Sequence, residues 1–130
     1  MLPLFRSRAI KKELPAGPDL DREVARVLGI DTSGAVPRYS TEDDTAVALA
    51  EWFSKERGWW HYKKREVYGG WTVGWIEEKQ PLQVSTRPIQ SSAPTRALAI
   101  CRSILKVAES LEERGDRGIR PHRPFPELQR

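Results

Sequence analysis

The 130-residue sequence predicts an α+β fold, with elements in the order α-α-β-β-β-α and a three-stranded antiparallel sheet packed with helices. Three observations carry this expectation. Apolar residues recur at helical spacing in three separate stretches, the period drops to two between the second and third, and Gly69-Gly70 lies between two aromatic runs where a hairpin can turn. Short sequential connections then favour helices layered on an antiparallel sheet. With 38% hydrophobic and 31% charged residues, the composition fits one domain with a modest core.

The first helix is expected in GPDLDREVARVLGI, where Leu20, Val24, Val27 and Leu28 share a face, Asp19 is placed to cap and Gly29 to stop. The turn-rich DTSGAVPRY follows. In YSTEDDTAVALAEWFSKERG, Ser40 with Asp43, or Thr41 with Asp44, is placed to cap a second helix, and the acids at 42–44 suit its positive dipole end. Its apolar face is Ala46, Val47, Leu49, Ala50, Trp52 and Phe53.

The stretch RGWWHYKKREVYGGWTVGW, residues 57–75, holds four of the five tryptophans. A two-residue turn at Gly69-Gly70 would put Trp60, Tyr62, Lys64, Glu66 and Tyr68 on one face with Trp71, Val73 and Trp75, and this aromatic face is expected to meet the helices. Trp59, His61, Lys63 and Arg65 would share the opposite, mostly polar and basic face. The assignment rests on register, since a one-residue slip exchanges the faces of a strand. A third strand is expected in PLQVSTR, residues 81–87, from the alternation of Leu82 and Val84 with Gln83 and Ser85. The strongest helix signal follows Pro94: Ala97, Cys101, Ile104, Ala108 and Leu111 form a stripe, broadened by Leu98, Ile100, Leu105 and Val107, and Gly115 ends it.

The net charge of +4 is unevenly distributed. Residues 1–18 carry Arg6, Arg8, Lys11 and Lys12 against Glu13, and residues 114–130 carry five arginines against two acids, so each end is +3 and the middle is −2. The expected organisation is a basic arm over 1–18, one domain over 19–113, and a basic, proline-containing tail over 114–130. No apolar run reaches the roughly 18 residues of a bilayer span. The opening MLPLFRSRAIKK lacks the continuous apolar run of a secretory signal, so a cytoplasmic protein with no membrane partner is expected.

The sequence lacks a phosphate-cradling glycine loop, GxSxG, HExxH or a cysteine pair, and no enzymatic activity, cofactor or metal is expected. Cys101 sits inside an apolar helical pattern and reads as core. In the two-residue-turn register His61 faces Glu78, a pair able to orient an imidazole, although an exposed His–Glu pair is ordinarily a solvated contact. The candidate binding residues are therefore Trp59, His61, Lys63 and Arg65 on the hairpin, with Arg6, Arg8, Lys11 and Lys12 before the domain and Arg117, Arg120 and Arg123 after it. Two partner classes suit them. Aromatic and arginine residues anchor protein interfaces, and Trp with Lys and Arg can stack bases and hold phosphates. From residue 41 to 113 the order α-β-β-β-α is that of a double-stranded RNA-binding domain, but the final helix opens PTRALA, with Arg96 alone where such domains cluster lysines.

LDREVARVLG, VPRYSTEDDTAVALAEWF, the tryptophan-bearing hairpin and APTRALAICRSILKVAE together resemble the phage ABA sandwich domains of small bacteriophage proteins, across roughly residues 19–111. The most specific parts are PTRALAICRSILKVAE, with its Ala-Ile-Cys-Arg core, and Tyr39-Ser40-Thr41. The resemblance implies phage or prophage origin and an α/β/α-like sandwich; it implies no activity and no site residues. The resulting expectation is a non-enzymatic phage accessory protein that binds a host or phage protein, such as a component of host defence, with nucleic-acid binding as the alternative.

Overall fold

The computed structural model describes residues 10–77 and 88–113. Its elements are α1 (Pro18–Leu28), α2 (Asp43–Arg57), β1 (Trp59–Arg65), β2 (Trp71–Glu77), β3 (Ile89–Ala93) and α3 (Arg96–Glu113). The α+β class and the α-α-β-β-β-α order are those expected. The strand expected over 81–87 lies outside the described residues; the third strand that is described begins at Ile89. No helix among the described residues is long and apolar enough to cross a membrane.

The helices follow their apolar stripes, but their N-terminal ends use different groups from those expected. Gly17, not Asp19, precedes α1, with Pro18 at the first helical position where its missing N–H costs nothing. Gly29 closes α1 in the left-handed region at φ 76°, with the Ile30 N–H reaching the Ala25 carbonyl at 2.8 Å. Ser40 does not cap α2. Its N–H and hydroxyl both donate to Asp21 Oδ1, at 2.8 and 2.6 Å, and its oxygen accepts the Gly17 N–H at 2.9 Å. Asp21 is buried, so these bonds replace the water it loses and tie the start of α1 to the segment entering α2. At α3 the cap is Thr95, whose Oγ1 accepts the Leu98 N–H at 3.2 Å, and the helix begins at Arg96, two positions after the start suggested by Pro94.

The stripe Ala97, Cys101, Ile104, Ala108 and Leu111 is buried, as are Leu20, Val24, Leu28, Leu49, Ala50 and Phe53 from the other helices. Helix α3 is central: it packs on α1, α2, β2 and β3, while α2 also meets β1. Part of the N-terminal arm belongs to this body rather than to solvent. Ile10 is buried, the Lys11 N–H donates to Glu23 Oε2 at 2.9 Å, Lys12 Nζ meets Glu109 at 2.6 Å, and the Leu14 carbonyl accepts Arg102 Nη2 at 3.1 Å.

The sheet is antiparallel in the order β1-β2-β3. Its hairpin register overturns the expected β1 faces. Arg65, rather than Tyr68, lies opposite Trp71, and Trp59 lies opposite Glu77. The shift of three positions is odd, so β1 turns over relative to β2. The glycines do adopt positive φ, 96° at Gly69 and 89° at Gly70, but in a longer connection. The Gly69 N–H bonds the Glu66 carbonyl and the Glu66 N–H bonds the Gly70 carbonyl, both at 3.0 Å, giving a three-residue loop of Val67, Tyr68 and Gly69 with a bulge.

Two close approaches account for this choice. A Cβ on Gly70 would stand 2.8 Å from the Ala93 carbonyl oxygen, so the chain passes β3 only without a side chain there. In this register Tyr62 lies opposite Gly74 and its ring covers the glycine, at 2.4 Å from where a Cβ would be. The ring thus fills the gap a glycine leaves in a strand.

Candidate binding surface

The register separates the sheet into an inner and an outer face. Trp59, His61, Lys63 and Arg65 line up with Trp75, Val73 and Trp71 of β2 and with Ile89, Ser91 and Ala93 of β3. This is the side the helices cover. Trp59 is 5% exposed and belongs to the core, and the Trp75 ring is fully buried, edge-on to Phe53 at 5.1 Å. Trp75 Nε1–H donates to Ser103 Oγ at 2.8 Å, and that hydroxyl donates onward to the Ile100 carbonyl.

The four hairpin residues singled out from sequence therefore do not form an exposed aromatic-basic patch. Trp59 is removed from solvent. His61 is half-buried and stacked on Trp75, with ring centroids 4.8 Å apart. Its partner across the ladder is Trp75, not Glu78, which lies outside the described residues. Lys63 Nζ is 3.1 Å from His61 Nε2, and since an ammonium can only donate, that ring nitrogen accepts. Burial first, then the Lys63 charge, holds the imidazole below its ordinary pKa, with Glu51 opposing. A neutral ring whose free lone pair is already used is poorly placed for acid–base work. Arg65 is exposed and extends over the Trp71 ring at 5.8 Å, and Arg96 lies over the same ring at 5.0 Å while pairing with Asp43.

Of the cations outside the hairpin, Lys11 is exposed at the surface, whereas Lys12 is engaged by Glu109, and this hydrogen bond raises its pKa. Arg6, Arg8, Arg117, Arg120 and Arg123 lie outside the described residues. Cys101 is buried, and burial first, then Asp21, pushes its thiol pKa up, which favours the unreactive protonated form. No group of three or more potential metal ligands occurs among the described residues.

The outer face carries what the sequence reading had assigned to the core. Trp60, Tyr62 and Lys64 stand beside Ile76, Gly74 and Thr72, with Gln90 and Ser92 on β3. No described helix covers them. Trp60 is 65% exposed, and at the hairpin tip Val67 and Tyr68 are 92% and 97% exposed. The surface is nonetheless ordered by its own bonds. Tyr62 donates to Gln90 Oε1 at 2.7 Å; Thr72 donates to Glu66, leaving Ser92 to donate to Thr72 at 2.6 Å. An aromatic residue opposite a glycine, with glycines long enough for a bulged loop, was the sequence signal that could have found this face. In comparisons with known proteins, no family model, no curated protein and no solved structure matches the chain.

Proposed function

We propose that this chain is a non-enzymatic binding protein, a phage or prophage accessory factor that docks a host or phage protein through the outer face and tip of its hairpin. The single observation that supports this most directly is the exposure of Trp60, Val67 and Tyr68 on a sheet face that no described helix covers. Large exposed apolar side chains near ordered polar groups have the make-up of interface anchors with a polar rim. The phage origin rests on the sequence resemblance alone. In the nucleic-acid alternative Trp59, which is in the core, cannot stack a base, and the exposed Trp60 beside Lys64 would take that role.

The test is affinity capture from host and phage-infected extracts with the unaltered chain and a Trp60→Ser/Tyr68→Ser double variant of matched stability. A specific protein retained by the first and lost by the second is the expected result. No specific protein in either extract, or equal retention by both chains, would overturn the proposal. So would a nuclease-sensitive association that strengthens steeply as salt falls.

A further inference from the structure

The two edges of the sheet are not equivalent. In an antiparallel ladder, alternate residues bond inward to the neighbouring strand and the others point their N–H and C=O outward. The Glu66 to Gly70 bond fixes the phase on β1: Lys64, Tyr62 and Trp60 bond toward β2, and Arg65, Lys63, His61 and Trp59 point their backbone groups away from it. The Trp59 carbonyl agrees, accepting the Ser54 hydroxyl at 2.5 Å. His61, Lys63 and Arg65 remain, and among the described residues no backbone hydrogen bond closes their outward groups. The same phase on the five-residue β3 directs Gln90 and Ser92 outward, and there Lys106 Nζ occupies the Gln90 carbonyl at 2.9 Å. Among the described residues, the β3 edge is short and partly occupied, and the β1 edge is longer and open.

We propose that the open edge of β1 is a strand-addition site for an acidic, extended segment of a partner protein, so that the sheet gains a fourth strand. This rests on the protein-binding reading above and specifies how the partner is held. Charge selects the occupant. The open stretch presents Lys63, Lys64 and Arg65; of the nearby acids, Asp43 is paired with Arg96, Glu66 accepts from Thr72, and Glu51 acts on His61, which leaves the end of the strand cationic. Cationic edges ordinarily discourage pairing. Here a second copy of β1, paired antiparallel over its full length, would set Lys63 against His61, Lys64 against Trp60 and Arg65 against Trp59 and supply no carboxylate to any of them, whereas an acidic strand supplies one to each. The two faces set the rest of the pattern. Guest side chains on the inner side meet His61, Lys63 and Arg65 and are best acidic; those on the outer side meet Trp60 and Tyr62 and are best apolar until Lys64. Beside the start of β1, an open groove of ≈ 440 Å³ lined by Ser54, Lys55, Gly58, Trp59, Trp60 and His61 gives room for the end of such a segment.

The probe is a synthetic peptide of about eight residues, long enough to span β1, alternating Glu with Val or Tyr. It is titrated into the full chain while amide hydrogen exchange is followed residue by residue. The expected result is a rise of about tenfold or more in protection at His61, Lys63 and Arg65, weakened by salt and abolished when alternate peptide amides are N-methylated. Unchanged exchange at these amides, or equal protection by a peptide with Lys in place of Glu, would overturn the inference. Concentration-dependent protection without peptide, or protection by a single-stranded oligonucleotide in place of the acidic peptide, would do the same. Lys63→Pro removes an outward N–H without removing a β1–β2 bond, and Lys63→Glu/Arg65→Glu is a charge-reversed second variant should the proline disturb folding. Partner capture that survives both variants but fails on Trp60→Ser/Tyr68→Ser rejects strand addition and leaves the outer-face reading standing. Capture that is indifferent to all of them rejects both.

Discussion

Trp59 and Trp60 are neighbours in one strand with opposite environments: the first is 5% exposed beneath the helices, the second 65% exposed on the uncovered face. Their chemistry is identical, so the difference comes from the phase of the strand. The inner face buries its aromatics and spends its polar groups on internal bonds such as Trp75 to Ser103. The outer face keeps an aromatic ring in solvent and holds its neighbours in place through Tyr62, Gln90, Thr72 and Ser92. A side that stabilises the domain and a side available to a partner are thus made from alternate residues of the same seven-residue strand.

The widest gap between the faces should appear on truncation. Trp59→Ala is expected to cost about 3–5 kcal/mol, as for other buried aromatics, and Trp60→Ala no more than about 1 kcal/mol. Urea midpoints compare the two, and equal losses would mean the faces are wrongly assigned. Gly74→Ala should cost about 1–3 kcal/mol, because its Cβ must displace the Tyr62 ring and break the bond to Gln90. In a Tyr62→Ala background the same change should be close to neutral. A double-mutant cycle that shows no coupling would remove Tyr62–Gly74 as the reason for the register.

At the rim of the inner face, Arg96→Ala should cost about 0.5–1 kcal/mol, the scale of a part-exposed ion pair with a ring contact. Thermal unfolding at low and high salt would show the loss shrinking as salt rises. The smallest effect concerns His61. Because folding holds its pKa below the ordinary value, the unfolded chain takes up a proton first as pH falls. Stability should therefore decline just below the ordinary imidazole pKa of about 6.5, and the loss is complete once the folded ring is also protonated. Glu23 and Asp43, both held below the ordinary carboxylate range, lose their contributions only at lower pH. His61→Gln should flatten the upper part of the profile; an unchanged profile would mean the ring is equally basic in both states.

Much of the fold was legible because its signals are local. Leu20, Val24 and Leu28 in α1, and Ala97, Cys101, Ile104, Ala108 and Leu111 in α3, announce their buried faces by spacing alone. Gly29 announces a helix end for the same reason, since left-handed backbone favours glycine. The capping residues were less legible. Ser40 has the right type and place to cap α2, yet the buried Asp21 carboxylate, nineteen positions away, takes both of its donors. The candidate surface failed for a related reason. Gly69-Gly70 suits both a two-residue turn and a bulged three-residue loop, and the alternatives differ in whether Trp59 or Trp60 is buried.

By itself, the sequence determined the α+β class, the order of elements, the buried stripes of the helices and the Trp71, Val73 and Trp75 face of β2, all readable from periodicity within a few turns or residues. Only the tertiary structure decided the phase of β1 and with it the exposed surface. That phase depends on contacts between separate strands: the Tyr62 ring over Gly74 and Gly70 against the Ala93 carbonyl. A period of two tells which residues of a strand belong together, but only packing tells which set faces the core.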